Sequence, residues 1–460
     1  MDRNIAKVHF VGVGGVGMSG IASVAKKLGM QVTGSDLKES KYSKALKRQG
    51  IKVSVGHDAR NITDSDPDVV VVSSAIPETN PEVVAARAAG IEIWPRAKML
   101  AYVGNGYKVL AVAGTHGKTT TSSMLSAALV ELGADPAFLV GGIIDGFDSN
   151  ARYGGGEYCA VEADESDGSF TYLDPYMAIV TNIEADHLDH YGDLESIRKA
   201  FAEFVSNIPG EGCVIACGDN EGLVELMRAS TEAPVVSYGI GEGCDVRTVP
   251  ADDGSFDIIA ADGSRATMRL QSNPGVHNML NATSVVALLM RLGYGLDESV
   301  RAVESFSGVR RRFDLVGTAK GVTVIDDYGH HPTEIKATLA AARNQGAKRI
   351  HVLFQPHRYS RTASLADEFA TAFDGVDKVT VMDVYSAGET PIPGITGKTV
   401  VDSVLRHDPA MDISWVQGRA EVVSYLADWL EEGDMLITMG AGDVTAIGPM
   451  VLEALESAGE

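Results

Sequence analysis

The sequence is poor in the features that mark a secreted or membrane-bound chain. Its four cysteines, Cys159, Cys213, Cys217 and Cys244, have neither the paired spacing of a zinc site nor the density of a disulfide scaffold, which points to a reducing, cytoplasmic setting. No basic segment with a cleavage site precedes the first apolar run, Val8 to Val13, and no apolar stretch approaches the roughly 18 residues of a membrane-spanning helix. Neither secretion nor membrane insertion is expected. Positive charge is also scarce, with 39 Lys and Arg against 62 Asp and Glu for a formal net charge of −23. Such an excess repels nucleic acid and anionic lipid over most of the surface. An anionic substrate must therefore find a locally basic or metal-filled pocket. Short repeats and low-complexity tracts are missing as well.

What remains is an ordinary globular composition, 45% hydrophobic and 22% charged, in 460 residues, too long for one hydrophobic core. Fifty glycines suggest many tight turns between alternating strands and helices. Three textures follow along the chain. Residues 1–104 open with a strand at Val8–Val11, a glycine loop, a helix with Ile21, Ala25 and Leu28 inward, and strands at Gln31–Thr33 and Val69–Val72. Residues 105–309 hold strands at Leu110–Ala113, Tyr158–Val161 and Ile179–Thr181, and an alternating β pattern from Val246 to Leu270. Residues 310–460 place strands at Val322–Ile325, Ile350–Phe354, Val379–Met382 and Met435–Met439 between helical patterns. The expected fold class is α/β in three domains: an N-terminal Rossmann-like domain, a central P-loop-type ATPase domain and a C-terminal Rossmann-like domain.

Two glycine loops carry the strongest chemistry. Gly114-Thr115-His116-Gly117-Lys118-Thr119-Thr120 follows a buried strand and opens a helix in which Leu125, Ala128, Leu129 and Leu132 share a face. Glycines let backbone N–H groups approach phosphate oxygens, a lysine meets the β and γ charges, and the next hydroxyl can ligate Mg²⁺. The spacing departs from the usual P-loop, since only Thr115 and His116 separate Gly114 from Gly117. Earlier in the chain, the first of the two loops has Gly12, Gly14 and Gly17 as GxGxxG after a strand, with Asp36 about 20 residues on. A dinucleotide satisfies this pattern, and so does UDP. Nothing downstream is built for hydride transfer.

Acidic and basic residues at other strand ends complete the set. Glu162-Ala163-Asp164-Glu165-Ser166-Asp167 offers oxygen ligands suited to Mg²⁺ beside the phosphate loop if the sheet is parallel. Asp186-His187 follows the strand at Ile179–Thr181 and suggests a second metal or phosphate contact. Asn278 and Asn281 stand at a helix start, and Arg310, Arg311 and Arg312 lie at a domain junction where an adenine or phosphoryl group can meet them. Asp326-Asp327-Tyr328-Gly329-His330 and His357-Arg358-Tyr359-Ser360-Arg361 end successive strands, so they converge on one rim of a parallel sheet. Arg358 and Arg361 are spaced to clamp a carboxylate or phosphate.

Together these motifs, with Gly388-Glu389-Thr390-Pro391-Ile392-Pro393-Gly394, resemble the bacterial Mur ligases, and among them the branch that joins L-alanine to UDP-N-acetylmuramate in peptidoglycan synthesis. The resemblance spans nearly the whole chain. It implies that the first glycine loop holds the UDP of the sugar and the second holds ATP. It implies an acyl phosphate on the lactyl carboxylate, attacked by the amine of L-alanine, with the third domain closing during catalysis. Residue by residue, it gives Thr119, Glu162 and His187 to Mg²⁺, and Gly114 to Thr120, Asn278, Asn281, Arg312 and Asp327 to ATP. It gives Gly14, Gly15, Val16, Gly17, Met18, Ser35, Asp36, Ser74 and His116 to the sugar nucleotide, and Tyr328, His330, Arg358 and Arg361 to the substrate carboxylates. Lys118, Glu162, His187, His330, Arg358 and Arg361 form the catalytic set. The nearest rival is a ligase of the same fold that attaches a preformed peptide during wall recycling. An NAD-dependent oxidoreductase, suggested by GxGxxG with Asp36, and a nucleotide-binding module without turnover are more distant readings.

Overall fold

In the computed structural model, which describes residues 5–457 apart from 74 and 273, the buried runs of the sequence assemble into three sheets. The first contains β1 (Lys7–Val11), β2 (Gln31–Asp36), β3 (Lys52–Val55), β4 (Val69–Val72) and β5 (Glu92–Pro95), all parallel, in the order β3-β2-β1-β4-β5. Strands covered on both faces need apolar side chains at successive positions rather than alternate ones. Phe10 and Val11, and Val69 to Val71, are accordingly buried. The order reverses beside β1, which opens a crevice at its carboxyl end, where the first glycine loop lies. The helix Val16–Lys27 that follows buries Ile21 and Ala25 as its period requires. Leu28 does not fit the expectation: it caps the helix one residue beyond its last turn and is 39% exposed.

The second sheet has ten strands: β6 (Lys108–Ala113), β7 (Ala137–Ile144), β8 (Ser149–Arg152), β9 (Tyr158–Glu162), β10 (Met177–Val180), β11 (Cys213–Cys217), β12 (Val235–Gly239), β13 (Val246–Pro250), β14 (Phe256–Ala260) and β15 (Arg265–Met268), in the order β15-β14-β13-β12-β11-β10-β6-β9-β7-β8. From β13 to β7 the pairing is parallel, and antiparallel strands finish both edges. β6 lies between β10 and β9, so the glycine loop at Gly114–Lys118 emerges flanked by the loops that carry Asp186-His187 and Glu162-Asp167. The alternating stretch from Val246 to Leu270 is the β13-β14-β15 ladder. The edge strand β8 carries too few apolar residues to have been legible.

The third sheet, β16 (Asp314–Ala319), β17 (Val322–Asp327), β18 (Arg349–Phe354), β19 (Lys378–Val381), β20 (Ile413–Trp415) and β21 (Asp434–Met439), runs β16-β17-β21-β18-β19-β20, parallel except for β16. Alternate residues of its central strand feed two apolar clusters: Met435, Ile437 and Met439 join one, and Leu436 joins the other. The first and second sheets belong to one compact unit, residues to Gln271 with Asn278–Ser307, and the third sheet belongs to another, Ser272–His277 with Gly308 onward. Among the described residues, no helix is long and apolar enough to cross a membrane.

Candidate active site

The second glycine loop is shaped by its neighbours as much as by its own residues. Gly114 has φ of +137°, a conformation that side chains rarely adopt, and a Cβ there would overlap Thr181 Oγ1. The Thr115 N–H donates to Asn182 O (3.1 Å), the His116 N–H to Asn182 Oδ1 (2.9 Å), and Thr181 Oγ1 donates to His116 O (2.6 Å). The His116 ring sits 3.4 Å from a Glu184 oxygen. Residues after β10 therefore hold the loop open. Asn281 Nδ2 donates to Asn278 Oδ1 (3.0 Å), and a Cβ on Gly117 would meet Asn281 Oδ1 at 2.9 Å, so both predicted asparagines stand at the loop. Thr120 is buried in the first turn of the helix Lys118–Glu131.

Lys118 turns back into this loop. Its Nζ donates to Gly114 O (2.6 Å), Thr115 O (3.0 Å) and Glu165 Oε1 (2.8 Å). Burial opposes its charge, but the carboxylates of Glu165, Asp164 and Glu162 outweigh that, and its pKa is raised. Burial pushes the Glu165 carboxyl up to about 7 despite Lys118. Thr119 Oγ1 donates to Glu162 Oε1 (3.1 Å), while Glu162 Oε2 accepts the Gly141 N–H (2.8 Å). A hydroxyl and a carboxylate in contact are the hard oxygen donors that suit Mg²⁺. His187, with φ of +54°, caps the short helix Leu188–Tyr191 and brings Nε2 to 3.8 Å from Glu165 Oε1 and 3.6 Å from Asp186 Oδ2.

The first loop shares a cleft with these acids. About 330 Å³ in volume, it is lined by Gly15, Val16, Gly17 and Met18 together with Gly141, Glu162 and Asp164. Asn150 of β8 donates to Val16 O (2.9 Å), and Arg96 Nη2 donates to Asp164 Oδ2 (2.9 Å). Gly14 N–H donates to Asp36 Oδ2 (2.8 Å). Ser35 corrects its expected role. Its side chain is fully buried, with Oγ donating to Glu82 Oε2 (2.5 Å) and 3.0 Å from His57 Nδ1, and it is the Ser35 carbonyl that serves the loop, accepting the N–H groups of Gly12 (2.9 Å) and Val13 (3.0 Å). Glu82, buried against the pull of desolvation, is lowered to about 2 by His9, Asn61 and Ser35. Ser74 lies outside the described residues.

In the second unit the strand ends converge as parallel order requires. The guanidinium groups of Arg311 and Arg312 each lie 5.0 Å from the Tyr328 ring, and Arg312 pairs with Glu334 at 3.7 Å. His330 Nδ1 is 3.1 Å from Tyr328 O, and its ring is 5.4 Å from that of His357. Burial, with Arg361 and Arg312 nearby, takes His330 down to about 4 although Glu334 opposes it. Arg361 Nη1 lies 3.3 Å from His357 Nδ1. Arg358 adopts φ of +70°, and its buried Nε has no hydrogen-bond partner among the described residues, a donor that suits a carboxylate or phosphate. Asp327, which the resemblance gives to ATP, lies at the end of β17. It is buried, and its oxygens accept Phe313 N–H (2.8 Å), Gly329 N–H (2.8 Å) and Thr338 Oγ1 (3.2 Å), which braces the backbone on either side of it. Burial raises its pKa, against Arg312.

Two residues at the site were missed. Glu165, the partner of Lys118, is one acid among several in the sequence, and only the parallel register of Val112 with Glu162 brings its loop beside the second glycine loop. Arg96 has no motif around it. Its only signal is topological, because it directly follows β5, whose end shares a rim with β1.

A nucleoside-phosphate-binding α/β enzyme with two glycine loops and a metal-competent acid cluster is the class that this fold and site define. Residues 7–108 match the model of the Mur ligase family catalytic domain, 112–289 the Mur ligase middle domain, and 311–442 the Mur ligase glutamate ligase domain. The chain belongs to the Mur ligase family. It is 45% identical over 459 residues to a UDP-N-acetylmuramate--L-alanine ligase of Myxococcus xanthus, covering 99% of this chain and 96% of that one. A solved UDP-N-acetylmuramate-alanine ligase from Thermotoga maritima is similar with a TM-score of 0.83 and 31% identity, over 99% of this chain and 100% of that one. A murein peptide ligase from Psychrobacter arcticus is similar with a TM-score of 0.74 and 25% identity, over 98% of both chains.

Proposed function

We propose that this chain is an ATP-dependent ligase of cytoplasmic peptidoglycan synthesis that joins L-alanine to the lactyl carboxylate of UDP-N-acetylmuramate through an acyl phosphate. The observation that carries the reading is the cleft that the first glycine loop shares with Glu162 and Asp164. A sugar nucleotide held at Gly15 to Met18 directs its sugar toward the loop that holds a triphosphate. The full-length likeness to ligases of this specificity, 45% in one case and 46% in another from Anaeromyxobacter, supports the choice of amine over a preformed peptide.

A carboxylate is a poor electrophile because it has no leaving group. Phosphorylation supplies one, and Lys118 lets two anions approach by neutralising charge. In this reading Lys118 leaves Glu165 for the β and γ phosphates, and the N–H groups of Gly114 to Thr120 hold the nucleotide with Asn278 and Asn281. Thr119, Glu162 and His187 would hold Mg²⁺, which supplies further charge neutralisation when bound. Arg312 takes a nucleotide contact in the second unit, while Tyr328, His330, Arg358 and Arg361 orient substrate carboxylates. With its pKa near 4, His330 is neutral at pH 7.

Phosphate release from ATP, Mg²⁺ and UDP-N-acetylmuramate, compared across L-alanine, glycine, L-serine and an L-Ala-D-Glu-containing tripeptide, tests the reading. Strong preference for L-alanine is expected. Preference for the tripeptide moves the chain to wall recycling, and no release with any amine sinks the ligase reading.

A further inference from the structure

Arg96 occupies a singular place in the cleft of the first glycine loop. It opens the helix Arg96–Gly104 directly after β5, and it is the one cation among the described residues lining the 330 Å³ cleft. Its Nη1 packs over the first glycine loop, where a Cβ on Gly17 would lie 3.4 Å away. Nη2 is bonded to Asp164 at 2.9 Å. That bond uses one of the five N–H donors of a guanidinium, whose fork geometry suits phosphate oxygens.

The charge balance of the cleft gives this position its meaning. Glu162 and Asp164 line the same cleft, in a protein of net charge −23. The helix start at Val16 offers backbone N–H groups and a partial positive charge of about half a unit. Two carboxylates outweigh that contribution, so a bound diphosphate requires a full positive charge beside it. Asp164 serves the arginine in turn: its Oδ2 accepts from Nη2 at 2.9 Å and holds the guanidinium in the cleft.

We propose that Arg96 binds the diphosphate of the sugar nucleotide, and that Asp164 positions it for that contact. The inference rests on the reading of the first glycine loop as the sugar-nucleotide site.

Calorimetric titration of the full-length protein with UDP-N-acetylmuramate, UDP and UMP tests this, with ATP titrated in parallel. In Arg96→Ala, affinity for UDP and for the sugar nucleotide is expected to fall about 10- to 100-fold, the preference for UDP over UMP to collapse, and ATP affinity to stay within about twofold. Arg96→Lys keeps the charge without the fork and is expected to fall between the two. It carries the test if the alanine variant does not fold. A structural role alone would weaken all ligands together and leave the UDP to UMP ratio intact, which would overturn the proposal, as would variants that bind UDP like the wild type. If the wild type binds neither UDP nor the sugar nucleotide, the parent reading of the loop has failed instead.

Discussion

The two glycine loops are built alike, strand then loop then helix, but they are equipped for phosphate by different means. The second loop carries its cation inside the motif, at Lys118, and surrounds it with carboxylates that keep it charged and in place. The first loop has no cation of its own. Its shape comes from polar groups behind it: Asp36 takes the Gly14 N–H, Ser35 O takes those of Gly12 and Val13, and Glu82 holds Ser35 from below. A loop motif thus describes how backbone approaches phosphate. The number of phosphates it is suited to depends on the cations within reach, and these need not be in the motif.

The sharpest break in the comparison comes from Lys118→Ala. Phosphate release is expected to drop on the order of 10³-fold, while titration of UDP-N-acetylmuramate gives an unchanged affinity. Loss of both would mean that the loops do not divide the work. Next in size, Gly114→Ala is expected to cost about 3 kcal/mol in urea unfolding, since the new Cβ overlaps Thr181 and φ is +137°. Gly15→Ala has open space around it and negative φ, so it should cost no more than about 1 kcal/mol. Equal losses at the two positions would deny that the second loop is the more tightly enclosed.

The network under the first loop has a pH signature. Glu82 titrates at about 2 in the folded protein against an ordinary 4.5. A depressed carboxyl stabilises the fold above pH 4.5, and that contribution is lost as pH falls from 4.5 toward 2. Glu82→Gln is expected to remove this slope, about 3 kcal/mol across the window, from unfolding free energies measured between pH 2 and 7. An unchanged slope would place the acid sensitivity elsewhere. The smallest effect belongs to Asp36→Asn, which weakens one charged hydrogen bond to the loop. Affinity for the sugar nucleotide should fall about fivefold, with ATP affinity unaffected.

Local chemistry was the legible part of this sequence. Lys118 and Thr119 declare themselves because strand, glycines and helix are contiguous, and the β13-β14-β15 ladder because alternation is a local pattern. Roles that depend on which way a strand-end residue faces were harder to read. Ser35 sits at the right strand end, but its side chain is buried beneath the loop it supports. Leu28 matches the helical period yet lies one residue past the helix. Arg96 and Glu165 gain significance only when the sheet order brings distant strand ends to one rim, and the spacing of residues along the chain carries no trace of that.

The central claim is that the two loops deliver a sugar carboxylate and a γ-phosphate to each other. The most direct test uses UDP-N-acetylmuramate labelled with ¹⁸O in the lactyl carboxylate, turned over with ATP and L-alanine, with the released phosphate analysed by mass spectrometry. One ¹⁸O transferred to phosphate per turnover is the expected result, because the oxygen that attacks phosphorus leaves with it when the amide forms. Phosphate free of the label would contradict the account.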